Sequence, residues 1–206
     1  MPGQLSAPAP VGIIVLAAGA STRMGQPKQL LRYQDKTLLR HAAETALAAA
    51  CGSVVVVTGA EHDSLAAEVG SLPVLIAHNP RWEQGMSTSI QAGLTVLEAA
   101  APVSAVLVML TDQPLVTTEL LQELVRQHRQ SGAPRVATRY ADTVGVPAVF
   151  GREQFAALRA LQGPAGARHL LTAGSPVVSV PFEAAATDVD TPAQYLALLG
   201  KPAGPD

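Results

Sequence analysis

A single cysteine, Cys51, occurs in the 206 residues. That excludes an internal disulfide and a thiolate metal centre, and leaves Cys51 as a packing side chain at the end of a helix. Runs of lysine or arginine are missing and the formal net charge is -2; affinity for a phosphate backbone needs clustered basic side chains, so no nucleic acid is expected as a partner. Long apolar runs are missing too. The stretch 13–18 is far too short to cross a bilayer and has no basic flank, so no membrane association is expected and the chain is read as cytoplasmic. His41, His62, His78, His128 and His169 lack the spacing of a zinc-binding pair, which argues against a transition metal.

Hydrophobic residues make up 48% of the chain and charged residues 15%, the balance of a folded enzyme and not of a disordered chain. The length suits one core. A single domain over residues 11–200 is expected, with 1–10 a disordered tip and 201–206 a frayed tail. Residues 11–17 form a continuous, largely β-branched run, the pattern of a strand buried on both faces. Over 37–50 the apolar residues recur at three and four positions and Gly52 follows, predicting a helix. Strands at 54–58, 74–77 and 105–110 then alternate with helices at 63–69, 87–100 and 117–129. This alternation implies right-handed βαβ crossovers and a mostly parallel sheet covered on both faces. After Gly132 the pattern is less regular, with short strands near 136–139 and 148–150, a helix over 153–161 and a strand over 177–181, as an antiparallel excursion would read.

Ligands of open parallel sheets bind at the carboxyl ends of the strands, and two such ends carry chemistry. The first strand runs into Gly19-Ala20-Ser21-Thr22-Arg23-Met24-Gly25-Gln26-Pro27-Lys28, where small residues let backbone N–H groups approach an anion and Arg23 and Lys28 add positive charge. Neither G-x-x-x-x-G-K-[ST] nor G-x-G-x-x-G is present, which disfavours a P-loop kinase and a dinucleotide-binding dehydrogenase. The second end is Thr111-Asp112-Gln113-Pro114, an aspartate fixed after an apolar strand and suited to Mg²⁺, which is usually held by one or two carboxylates plus substrate phosphates. A third acidic spot, Asp188-Val189-Asp190-Thr191-Pro192, is also explained by capping of the last helix. Trp82 reads either as a ring-stacking side chain or as an anchor for its loop. No Ser/His/Asp constellation is visible.

The segments LAAGASTRMGQPKQLL (16–31), NPRWEQGMSTSIQAGL (79–94), TDQPLV (111–116), GVPAVF (145–150), GPAGARHLL (163–171) and DVDTPAQY (188–195), in this order, resemble the molybdenum cofactor cytidylyltransferase branch of the nucleotidyltransferases. The resemblance spans about residues 11–199. It implies an α/β, Rossmann-like three-layer sandwich of the nucleotide-diphospho-sugar transferase type. It also implies transfer of CMP from CTP to molybdenum cofactor with release of pyrophosphate, Mg²⁺ as cofactor, and a molybdoenzyme as the partner that product would serve. By the same resemblance Leu16, Ala17, Ala18 and Gly19 lie along the nucleotide, Arg23 and Lys28 grip its triphosphate, and Asp112 and Asp190 hold Mg²⁺. Ser89 is a candidate base contact, with Gly85 giving room. Ala18 stands where guanylyltransferase relatives carry glycine, which argues for a pyrimidine. Arg168 is either an acceptor-phosphate contact or a solvated side chain. Pro164 replaces an aspartate common in the family, which bears on the acceptor, and Ala193 and Gln194 replace a carboxylate pair. A guanylyltransferase, a sugar-1-phosphate nucleotidyltransferase and a non-catalytic cofactor carrier are the competing readings.

Overall fold

The computed structural model describes residues 10–172 and 177–200. Apart from Pro10, the expected disordered tip and the frayed tail fall outside the described residues. In chain order the elements are β1 (Val11–Leu16), β2 (Arg32–Tyr33), β3 (Lys36–Thr37), α1 (Leu38–Ala48), β4 (Val54–Thr58), α2 (His62–Val69), β5 (Leu75–His78) and α3 (Met86–Ala100). There follow β6 (Ala105–Leu110), α4 (Thr118–Ser131), β7 (Arg135–Tyr140), β8 (Thr143–Gly151), α5 (Phe155–Arg159), α6 (Arg168–Thr172), β9 (Val178–Pro181) and α7 (Pro192–Leu199).

Seven strands form one sheet in the order β5-β4-β1-β6-β8-β7-β9. β1 lies parallel between β4 and β6, with Ile14 opposite Val55 on one side and Val108 on the other. All six β1 residues are buried because both faces of the sheet are covered. Ile13 and Val15 pack with Leu39 and Ala43 of α1, Leu65 of α2 and Leu121 and Leu124 of α4. Ile14 and Leu16 point the other way, onto Ile90, Leu94 and Leu97 of α3 and, further along, Phe155, Leu158 and Leu171. This period-two split explains why the strand reads as an unbroken apolar run. Each fully buried Leu, Ile or Val contributes about 2 kcal/mol. The three layers are those of the expected nucleotide-diphospho-sugar transferase fold.

Threonine hydroxyls cap α1, α4 and α7. Thr37 accepts from the N–H of Arg40, Thr117 from that of Leu120 and Thr191 from that of Gln194, with Pro192 at the first helical position of α7. A smaller cluster of Met24, Leu31, Tyr33, Leu38, Val189 and Leu198 clamps the loop after β1 against the segment before α7. That contact brings residues from the two ends of the chain together.

The second half differs from the sequence expectation. The short strands are a long antiparallel hairpin, β7–β8, closed by Ala141 and Asp142, both at positive φ (46° and 58°). A two-residue turn of this kind normally announces itself by Asn-Gly, and here it does not. β8 continues past Gly145 and Pro147 because the register shifts beside Ala137 and Thr138, a bulge that removes proline from the ladder. The expected helix over 153–161 is a 3-10 turn at Arg152–Gln154 leading into the shorter α5.

Candidate functional site

The loop after β1 is held by Gln29, which is buried although its type and position suggest a surface residue. Its side-chain amide donates to the carbonyls of Ala17 (2.9 Å) and Gly19 (2.7 Å), while its oxygen accepts from the Ser21 hydroxyl. The Ser21 oxygen in turn accepts the N–H of Lys28. The backbone from Ala17 to Gly19 is thereby fixed against the strand end, and Lys28 is returned to it at the start of a 3-10 turn (Lys28–Leu30).

There Lys28 meets two aspartates. Its Nζ lies 2.6 Å from Oδ2 of Asp112, delivered by β6, and 2.5 Å from Oδ1 of Asp190, delivered by the segment before α7. Arg23, with its side chain 69% exposed, reaches the other oxygen of Asp190 at 2.8 Å. Asp112 is the most enclosed of these groups. Burial pushes its carboxyl above the ordinary value, against the pull of Lys28. Burial also works against the Lys28 ammonium, but Asp112 and then Asp190 outweigh it and raise its pKa. For Asp190 the upward effect of burial is outweighed by Lys28 and Arg23, and its pKa is lowered. Two carboxylates thus share one enclosed ammonium, an arrangement with room electrostatically for further positive charge.

Oδ1 of Asp112 is buried and has no hydrogen-bond partner among the described residues. An oxygen of this kind is costly unless a cation or donor satisfies it. With Oδ1 of Asp112 unpartnered and Asp190 alongside, the donor set is all carboxylate oxygen and fits a hard divalent cation that takes its remaining ligands from phosphate and water. No group of three or more His, Cys, Asp or Glu that could form a protein-only metal cage occurs among the described residues.

Lys28 and Asp112 face a cavity of about 340 Å³, the size of a small-molecule site. Leu16, Ala17, Ala18, Gly19, Gly85 and Ser89 also line it, with Trp82, Glu83, Met86 and Pro164. Asp190 joins it through its ion pair with Lys28, and Arg23 through its own ion pair with Asp190. Gly85 has φ +107°, and a Cβ there would lie 2.6 Å from the carbonyl oxygen of Gly163; only glycine allows the 163–166 turn to sit on the start of α3. Ser87 fastens that turn, its hydroxyl donating to the Gly163 carbonyl at 2.7 Å. Arg168 is elsewhere, in a neighbouring cavity of about 270 Å³ walled by Val108, Val144, Val146 and Leu171, which shares Met86 and Leu110 with the first. Sequence reasoning missed Gln29, Glu83, Met86 and Asn79; a buried amide in a polar loop leaves no periodic mark.

Among the described residues no helix is long and apolar enough to cross a membrane. Residues 13–177 match the family model for the MobA-like NTP transferase domain. The nicotine blue oxidoreductase of Paenarthrobacter nicotinovorans is 33% identical over 96% of this chain and all of its own length. The molybdenum cofactor cytidylyltransferase of Escherichia coli is 33% identical over 43% of this chain and 46% of its own. Among solved structures, Rv0371c of Mycobacterium tuberculosis superposes with a TM-score of 0.79 at 28% identity, covering 95% of this chain and 100% of that one. It has also been solved in complex with manganese, matching at a TM-score of 0.77 and 28% identity over 92% of this chain and 98% of that one. With the family model spanning most of the chain and the sheet and strand-end site as described, the chain belongs to the MobA-like NTP transferase domain family and is a nucleotidyltransferase.

Proposed function

We propose that the chain transfers CMP from CTP to the phosphate of molybdopterin-type molybdenum cofactor, releasing pyrophosphate. The observation that carries this reading is the meeting of Lys28 and Asp112, which line one cavity beside the fixed backbone after β1, with Asp190 paired to the same ammonium. In it, the base lies along Ala17, Ala18 and Ser89, with Trp82 also on the cavity wall, and Lys28 and Arg23 hold the triphosphate. Asp112 and Asp190 hold Mg²⁺, which when bound neutralises charge on the phosphates. The manganese complex of Rv0371c supports a divalent ion as cofactor, and the partial likeness to the cytidylyltransferase of Escherichia coli supports the nucleotide and the acceptor.

The acceptor occupies the second cavity, with its phosphate toward Arg168. A phosphate monoester oxygen is already anionic near neutral pH, so no general base is needed. That oxygen forms the new bond to the α-phosphorus, and the bond to the bridging α–β oxygen breaks with its electron pair leaving on pyrophosphate. The protein's share is alignment across the common wall of Met86 and Leu110, and charge stabilisation by Lys28 and Arg23.

A different acceptor is the second reading. Pro164, where the family commonly has aspartate, lines the first cavity, and the relative matched over its full length carries an oxidoreductase name.

The test is pyrophosphate release with Mg²⁺ and molybdenum cofactor, offering CTP, GTP, ATP and UTP separately, with Asp112→Ala and Lys28→Ala as controls. Release with CTP that both substitutions abolish is expected. A preference for GTP would overturn the argument from Ala18, and no release with any nucleotide would point to another acceptor or to a cofactor carrier.

A further inference from the structure

Asn79 follows β5 and is 1% exposed. Its oxygen accepts the backbone N–H of Arg81 at 3.0 Å. A backbone N–H can only donate, so this bond fixes which end of the amide is oxygen and which is nitrogen. The nitrogen therefore faces α3, where it donates to the hydroxyl oxygens of Thr88 and Ser89, both at 2.9 Å.

The two hydroxyls then differ. Thr88 passes its proton to the carbonyls of Arg81 and Gly85, each 2.9 Å away. Ser89 has no acceptor for its proton among the described residues. The carbonyl one helical turn back, that of Gly85, is already taken by the N–H of Thr88 and faced by the Thr88 hydroxyl. Rotation of the Ser89 O–H toward Asn79 is blocked by the incoming amide proton. Ser89 is buried and lines the cavity, so the free direction for its proton is into the cavity.

We infer that Asn79 is a specificity-determining positioning residue: it sets the polarity of Ser89, so that the cavity presents a hydrogen-bond donor there and selects a nucleobase with a carbonyl or ring-nitrogen acceptor at that point, as cytosine has in its 2-keto oxygen. The inference rests on the reading of this cavity as the nucleotide site. Asn79→Asp keeps the shape and still accepts from Arg81, but its carboxylate takes the Ser89 proton and turns an oxygen lone pair toward the base.

The experiment is calorimetric titration of the wild type, Asn79→Asp, Asn79→Ala, Ser89→Ala and the Asn79→Asp/Ser89→Ala double variant. The probes are CTP and inorganic tripolyphosphate, which keeps the phosphates and has no base. Asn79→Asp is expected to weaken CTP about tenfold, Ser89→Ala about fivefold, Asn79→Ala severalfold, and the double variant no more than Asn79→Asp alone. A net hydrogen bond of about 1 kcal/mol, with an unfavourable lone pair added in the aspartate, sets that scale. Tripolyphosphate is expected to bind all of them alike. Equal losses for both probes would reveal only structural damage and overturn the proposal, as would unchanged CTP binding or additive losses in the double variant. Should Asn79→Asp not fold, Asn79→Ala beside Ser89→Ala decides by the same CTP-to-tripolyphosphate ratio. Failure of the wild type to bind CTP, GTP, ATP or UTP would instead remove the nucleotide reading itself, and this inference with it.

Discussion

Lys28 and Asp112 stand 84 positions apart in the chain, and the ammonium of one lies 2.6 Å from the carboxylate of the other. Their side chains are only 16% and 14% exposed, so neither charge is well screened. Lys28→Met leaves Asp112 and Asp190 facing each other without an enclosed cation. Removing one member of a buried pair costs about 3 kcal/mol, and a loss of that order is expected in urea denaturation. Adding Asp112→Asn to Lys28→Met should recover part of it; a loss below about 1 kcal/mol would mean that water screens the pair after all.

The unpartnered Asp112 oxygen gives a metal prediction readable without turnover. Mn²⁺ or Mg²⁺ at a hundred times its dissociation constant adds about 2.7 kcal/mol to the stability of a protein that binds it only when folded. The melting temperature is expected to rise with metal and return with chelator, and to ignore both in Asp112→Asn. A shift that survives Asp112→Asn and Asp190→Asn would place the ion elsewhere.

Gly85→Ala should destabilise by about 3 kcal/mol, from backbone strain at φ +107° plus the clash with the Gly163 carbonyl. Equilibrium unfolding measures it. A near-neutral result would show that the 163–166 turn is free to lift away from α3.

His41, on α1, packs edge-on to Tyr33 with ring centroids 5.6 Å apart. Burial first, and then the charge of Lys36, hold its imidazole below the ordinary value of 6.5, with Glu44 opposing. The folded state therefore binds this proton less readily than the unfolded chain does. Stability is expected to fall as pH drops from about 6.5 toward the lower folded value. In His41→Gln this contribution is absent, so the stability gap should move in the variant's favour between pH 8 and pH 5; a gap independent of pH would contradict the assignment.

Arg168→Ala tests the second cavity. A charge-assisted contact worth about 1.5–3 kcal/mol predicts a ten- to hundredfold rise in the KM for the acceptor, with the KM for CTP within about twofold. A change in the nucleotide KM instead would place Arg168 on the nucleotide's phosphates.

What could be read from the sequence was what is local. β1, β4 and β6 are announced by unbroken apolar runs because both sheet faces are covered, and β4 and β6 occur at the expected residues. Asp112 is visible because a carboxylate stands two residues after such a run. The meeting of Lys28 with Asp190, 162 positions away, was not visible from spacing, because only the packing of Met24, Leu31 and Tyr33 on Val189 and Leu198 creates it; the family resemblance alone pointed there. The sequence predicts only the end of β8, because Gly145 and Pro147 mimic a break, and the bulge that absorbs them depends on pairing with β7. Asn79 and Gln29 do not stand out within their segments, since the groups each amide holds, two to twelve positions away, follow neither the helix nor the strand period.

β6 has a parallel neighbour on one edge, β1, and an antiparallel one on the other, β8, with four residue pairs from Ala105↔Gly151 to Val108↔Ala148 forming the second seam. The hairpin thus extends the sheet through a seam as long as the parallel one between β1 and β4, which also has four residue pairs. Asp190, Gly163 and Pro164 lie beyond α4 as well, so a chimera cut there exchanges part of the Lys28 site together with the hairpin, and the two halves must be matched at the Lys28–Asp190 ion pair.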